Sequence, residues 1–243
     1  MERVTSAQNP LLRHIRKLQS SRAYREEQRE FVADGYKLLA EALQWYPKLK
    51  TVIVSESQTI PPLPDGVRCV QIPDSLMQSL SDMKTPQGVI FTCELPEQKN
   101  AAPSTGMLLL DRIQDPGNLG TILRTADAFG IPVALTNGCA DPWSEKTIRA
   151  SMGAVFRTVP KQIALDQVLS SGVPIAVTAL TPHASDIREV DLKDYLIVIG
   201  SEGQGVCPEL LNASEKQIII PMQPRCESLN AAIAAAIVMW QMK

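Results

Sequence analysis

The chain has 243 residues, enough for one large domain or two smaller ones. Its 44% hydrophobic and 21% charged residues fit a globular protein rather than a disordered one, and no apolar run approaches the ~18 residues that begin to suggest a membrane span. Aromatics at 5% offer no platform for base stacking, and a net charge of −2 argues against a uniformly basic nucleic-acid binder.

The charge is unevenly placed. Residues 1–50 carry ten Lys and Arg against six Asp and Glu, a balance of +4 that leaves −6 on the rest. Arg13, Arg16, Lys17, Arg22, Arg25 and Arg29 fall in one short stretch, which reads either as a solvated helix face or as a phosphate-contacting arm. The same segment, Asn9 to Arg29, places Leu11, Leu12, Ile15 and Leu18 at helical spacing. Phe31 to Ala33 reads as a strand and Lys37 to Trp45 as a helix stopped by Pro47. Thr51 to Ser55 is expected as a strand, Pro73 to Leu80 as a helix, and Gly88 to Cys93 as another strand. This alternation predicts a small α/β domain over residues 1–95.

Residues 96–105 are polar and contain Pro96 and Pro103, which marks a linker. Beyond it, Met107 to Leu110, Pro132 to Leu135, Ile175 to Thr178, Leu196 to Ile199 and Ile218 to Ile220 are short apolar runs bounded by breakers. Strands buried on both faces of a parallel sheet have this appearance, so residues 106–243 are expected to form an α/β domain. Ligands of such sheets bind outside the carboxyl ends of the strands.

Three segments stand at such ends. In the first, a strand ends at Asp111, a turn passes through Pro116 and Gly117, and a helix is expected from about Asn118, with Asn118 as its N-cap. Arg124 lies six residues further on, able to face the same cleft. In the second, Gly200, Gly203 and Gly205 follow a buried strand and enclose Glu202, a loop that lets backbone approach a ligand closely. It is neither a dinucleotide fingerprint nor a P-loop. In the third, Ile220-Pro221-Met222 leads to Ser228-Leu229-Asn230, where Ser228 and Asn230 can cap an alanine-rich helix over Ala231 to Gln241. Its small residues permit close packing within a core or across a dimer.

Taken together, the order and spacing of Asn118-x-Gly120-x-x-x-Arg124, Gly200-x-Glu202-Gly203-x-Gly205 and Ile220-Pro221-Met222 with Ser228-Leu229-Asn230 resemble the SpoU (TrmH) family of RNA 2′-O-ribose methyltransferases. The likeness extends more loosely to the first domain through Thr5-Ser6, Asn9-Pro10 and Phe31-Val32-x-x-Gly35, where Asp34 stands in place of the glutamate common in relatives. The resemblance implies an α/β fold with a C-terminal parallel-sheet domain threaded into a trefoil knot, a rare exception to unknotted topology, and a smaller N-terminal substrate-binding domain. It implies S-adenosylmethionine as cofactor, held by Gly200, Ile220, Met222 and Leu229, with Thr178 to Leu180 adjoining. It implies a catalytic set of Arg124, Asn118, Glu202, Ser228 and Asn230, a homodimer whose active site draws on both chains, and an RNA substrate, ribosomal RNA being favoured over transfer RNA. The arginine matching Arg124 is assigned as the base in the family. A guanidinium is hardly ever neutral, so clamping the phosphate beside the target ribose is the competing role.

Other classes fit less well. An NAD-type enzyme lacks its glycine fingerprint here, whereas a non-catalytic RNA-binding relative would be free to lose Arg124, Glu202 or Asn230, all present. A transfer-RNA methylase or a resistance methylase of ribosomal RNA stays open as a variant of the main reading. No metal is expected, since His14, His183 and the cysteines are not at ligand spacing. Five cysteines with no C-x-x-C pair, and no signal-peptide pattern, suggest the cytoplasm.

Overall fold

A computed structural model describes residues 2–59, 62–97, 102–201 and 203–243. The chain forms two compact units: Met1–Pro96 with Trp143–Arg157, and Glu97–Pro142 with Thr158–Lys243.

The first unit begins with β1 (Glu2–Arg3), α1 (Pro10–Ser20) and α2 (Arg22–Gln28). Where one helix was expected over residues 9–29 there are two, because serine chemistry breaks it. Asn9 caps α1 by accepting from the Leu11 amide at 2.8 Å, Pro10 occupies the first helical position, and Ser21 turns extended and caps α2. The carbonyls left open at the end of α1 accept from the buried Arg25, at Leu18 and, at 3.2 Å, at Gln19. Then follow β2 (Glu30–Asp34), α3 (Tyr36–Trp45), β3 (Leu49–Ser55), β4 (Arg68–Ile72), α4 (Asp74–Leu80) and β5 (Val89–Glu94). The sheet order is β1-β4-β3-β5-β2, with β1, β4 and β3 parallel and β5 antiparallel to both neighbours. Leu12, Ile15 and Leu18 of α1 close one face over Val32, Ile53, Val70 and Ile90.

The second unit opens with β6 (Leu108–Asp111), α5 (Pro116–Phe129) and β7 (Val133–Leu135). The chain then returns to the first unit for α6 (Glu145–Ala150) and α7 (Ala154–Arg157). Aromatic packing fixes that excursion: Phe31 lies 4.8 Å from Trp143 and 6.2 Å from Phe156 between ring centres. Back in the second unit come β8 (Lys161–Gln162), α8 (Leu165–Leu169), β9 (Ile175–Thr178), β10 (Ser185–Asp186), β11 (Leu196–Gly200), α9 (Pro208–Ala213), β12 (Lys216–Ile219) and α10 (Ala231–Gln241). All seven strands are parallel, in the order β10-β12-β9-β11-β6-β7-β8. Parallel strands covered on both faces explain the unbroken apolar runs, with Leu109, Ala134, Val177 and Val198 in one core. The helix α10 packs on α5. Its small residues Ala231, Ala232 and Ala235 are buried within the chain, while Ile233, Ile237 and Trp240 are 53%, 37% and 70% exposed. Among the described residues no helix is long and apolar enough to cross a membrane.

Candidate active site

The strands β9, β11 and β12 end beside a cavity of about 390 Å³. Its walls come from residues 178–181, the glycine loop after β11, residues 218–220 and the segment from Met222 to Ala234. Gly200, Ile220, Met222 and Leu229 all line it, as do Thr178 to Leu180 and Ser228. The volume lies within the ~300–1,000 Å³ of small-molecule pockets, and the walls are mainly apolar.

The glycine loop is shaped by its own backbone. A Cβ on Gly200 would lie 2.1 Å from the Gly205 carbonyl carbon and 2.2 Å from the Val206 nitrogen. Gly200 is therefore glycine because two stretches of main chain touch there, not because a ligand needs the room. The Gly205 amide closes the loop by donating to the Ser201 carbonyl at 2.9 Å, with Gly205 itself at φ +66°. Cys207 ends the loop, and burial pushes its thiol up, so it stays protonated at neutral pH. Glu202 lies outside the described residues.

The loop is tied to the end of β6, where Asp111 pairs in register with Gly200. The buried Asp111 carboxylate accepts from the Cys207 amide at 2.8 Å and from Thr136 Oγ1 at 2.9 Å. Arg112 donates to Gln204 Oε1 at 2.9 Å and to the Gly205 carbonyl at 3.4 Å. The sequence marks Asp111 only as a strand end and gives Arg112 no role. Only the fold brings residues 111–112 to residues 204–207.

The helix α5 starts earlier than expected. Asp115 is its N-cap, accepting from the Asn118 amide at 2.8 Å, and Pro116 is at the first position. Asn118 is thus inside the first turn, and Asn230 Nδ2 donates to its Oδ1 at 3.0 Å. Asn230 caps α10 with its other end, Oδ1 accepting from the Ala232 and Ile233 amides at 3.0 and 3.3 Å. Two amides from the first and third motifs are thereby joined. Arg124 lies on the exposed side of α5. Among the described residues it has no hydrogen-bond or ion-pair partner. Among the same residues no group of three or more His, Cys, Asp and Glu could hold a metal ion.

The basic stretch of the first unit is less free than its sequence suggests. Arg25 is buried, Arg16 donates to the Ala7 carbonyl, and Arg29, at φ +51°, donates to the Leu95 and Pro96 carbonyls. Arg22 pairs with Glu26 across one turn. Arg13 and Lys17 remain as exposed cations, Lys17 lying over the Tyr24 ring.

Residues 106–240 match the SpoU rRNA Methylase family, and residues 9–90 match the MRM3-like substrate binding domain. The chain is 32% identical over 251 residues to the 23S rRNA (guanosine(2553)-2′-O)-methyltransferase RlmP of Bacillus subtilis, covering 100% of both. It is 30% identical to the human mitochondrial rRNA methyltransferase 3, over 92% of this chain and 69% of that one. The solved structure of an AdoMet-bound rRNA methyltransferase from Sinorhizobium meliloti matches with a TM-score of 0.86 at 30% identity, over 99% of this chain and 97% of that chain.

Proposed function

The chain belongs to the SpoU rRNA methylase family, and from that premise we propose that it transfers a methyl group from S-adenosylmethionine to a ribose 2′-hydroxyl of ribosomal RNA. The observation that carries this reading is the meeting of Gly200, Ile220, Met222 and Leu229 on one cavity at the ends of parallel strands. S-adenosylmethionine supplies the reactive methyl when bound there, which leaves the protein to bind and orient the hydroxyl. Arg124, exposed and unpaired among the described residues, clamps the phosphate beside the target ribose and stabilises charge developing on its oxygen. Asn118 and Asn230, already bonded to each other, set the amides that face the hydroxyl, and Ser228 and Glu202 complete the set.

Residues 106–243 form the catalytic domain in this reading, residues 1–95 choose the RNA and residues 96–105 link them. Support for the substrate role is the MRM3-like match, with Arg13 and Lys17 as exposed cations of the stretch that no carboxylate or carbonyl engages among the described residues. The knot of the family belongs to the same proposal, as does a homodimer built on α10. The exposed stripe Ile233, Ile237 and Trp240 supports the dimer, so the expected contact is bulky and apolar rather than a meeting of small residues. The cytoplasm, where bacterial ribosomes work, is its place.

Equilibrium binding of S-adenosylmethionine to the full chain tests the cofactor, and light scattering at micromolar concentration tests the dimer. Mapping of 2′-O-methyl sites in total RNA with and without the gene tests the substrate. The position matching guanosine 2553 of 23S rRNA, named for the Bacillus subtilis relative, is the first to inspect. No cofactor binding, or an unchanged methylation map, would remove the reading.

A further inference from the structure

We infer that Asp111 and Arg112 are positioning residues for the cofactor, a tether that holds residues 203–207 in the shape the cavity requires. The inference rests on the reading of that cavity as the S-adenosylmethionine pocket. Ser201, Gly203, Gln204, Gly205 and Val206 form one of its walls, yet Gly203, Gln204 and Gly205 are exposed, and only Val206 and Cys207 pack on the core. A glycine-rich segment has many conformations, and one that must be ordered by its ligand weakens binding. Beyond the Gly205–Ser201 main-chain bond, the end of β6 supplies that order at two points.

Asp111 takes the far end of the loop. Its carboxylate is buried and accepts from the Cys207 amide and from Thr136 Oγ1, so its own orientation is locked by β7's neighbouring turn. Arg112 takes the tip. It sits at φ +57°, a left-handed conformation unfavourable for any residue with a Cβ. That conformation accompanies a guanidinium that reaches Gln204 Oε1, the Gly205 carbonyl and, at 3.3 Å, Asp111 Oδ2. Its own amide is held by Thr136 Oγ1 at 3.3 Å. An ordinary surface arginine satisfies its donors in water and needs no such backbone.

A guanidinium offers donors only, so it also decides the orientation of the Gln204 amide. Oε1 turns to Arg112 and the Nε2 donors turn away from it. Gln204 lines the cavity, and Nε2 is the end of its amide that Arg112 leaves available there. Arg112 thus acts on the cofactor twice, through the loop backbone and through the end of Gln204 that it leaves available.

The test uses the full chain and S-adenosylmethionine itself. Arg112→Gly removes the guanidinium while placing at φ +57° the one residue that takes it without strain, so the melting temperature should hold. The Kd for S-adenosylmethionine should rise about tenfold or more, the scale of a lost charge-assisted contact, and in turnover assays the loss should fall on KM for the cofactor rather than on kcat. Arg112→Lys keeps the charge without the planar fork and should restore affinity only in part. Gln204→Ala added to Arg112→Gly should weaken binding no further than Arg112→Gly alone, because the two act in series. An unchanged Kd in Arg112→Gly overturns the inference, as does full additivity in the double variant. So does a Kd change that only accompanies a large drop in melting temperature. A wild-type chain that binds no S-adenosylmethionine would instead overturn the pocket itself.

Discussion

In the first unit Arg16, Arg25 and Arg29 direct their guanidinium donors at backbone carbonyls, and Arg157 pairs with Glu41. In the second, Arg124 stands exposed on α5 with no partner among the described residues, and Arg112 crosses from one strand end to a cavity-lining loop. The residue type is the same and the work is opposite. Arg16, Arg25 and Arg29 complete main-chain hydrogen bonding that helix ends and loops leave open. In the second, Arg112 holds a wall of the cavity and Arg124 is left exposed. A basic stretch in a sequence therefore says little about nucleic acid until its donors are accounted for. The single arginine in a motif says more.

The contrast can be broken most sharply by exchanging the outcomes of two substitutions. Arg124→Ala is expected to lower single-turnover methylation by about 10²–10³ while melting temperature and cofactor affinity stay near wild type. Arg25→Ala should do the reverse. It exposes or orphans the carbonyls at the end of α1 and should cost about 2–3 kcal/mol of stability, with normal turnover per folded molecule. Calorimetry and single-turnover assays on the same samples decide. If Arg124→Ala melts early and turns over normally, Arg124 belongs with the architectural arginines and the proposed phosphate clamp is lost.

The next effect concerns backbone rather than charge. Gly200→Ala places a methyl within 2.1 Å of the Gly205 main chain, so the loop must open or shift. Overpacking of this kind typically costs about 1–3 kcal/mol, or about tenfold and upward in cofactor affinity if the loop carries it. Gly203→Ala, three residues along, meets nothing within 4 Å and should leave the melting temperature unchanged. Equal melting and equal cofactor affinity in both variants would show that the close approach at Gly200 has no part in binding.

What the sequence reveals divides along the same line. The apolar runs of the second unit are legible because buried parallel strands need unbroken hydrophobicity, and the strands Ile175–Thr178 and Leu196–Gly200 fall where that reasoning places them. The strand Arg68–Ile72 is not legible, since Arg68 and Gln71 interrupt a short run after a proline-rich approach. The cap of α5 is misread for a local reason: Asp115 and Asn118 are both good capping residues, and only the amide geometry shows which one acts. The aromatic packing that takes residues 143–157 into the first unit, and the contact of Arg112 with Gln204, depend on positions about a hundred residues apart. Such contacts leave no periodic trace in the chain. The motif residues were found by resemblance, and the structure adds which of them touch: Asn118 with Asn230, and the four cofactor candidates around one cavity.

The smallest effect tests whether the first unit's buried charge is purely structural. Glu145 opens α6 and is 7% exposed, with Gln19 as the one side chain that offers its carboxylate a hydrogen bond and neither oxygen in a well-formed one among the described residues. Burial first, then the facing Asp34 and Asp82, push its pKa from 4.5 up to about 7, against the opposing pull of Arg149. Asp34 is raised too, mainly by burial, although Ser81 donates to its other oxygen. The folded protein therefore keeps protons that the unfolded chain has released. Stability is highest below pH 4.5 as far as this group is concerned, falls as pH rises from 4.5 to about 7, and is lower by a constant amount above that. The full shift would be worth at most about 3 kcal/mol, and a Gln amide in its place still lacks well-formed partners, so about 1 kcal/mol is the expected net gain for Glu145→Gln at pH 8. At pH 4 the variant should be no more stable than wild type, and turnover per folded molecule should be unaffected at either pH. Urea melts at the two pH values check the first statement. A Glu145→Gln variant equally stabilised at pH 4 and pH 8 would mean that packing, not the buried charge, separates the two proteins.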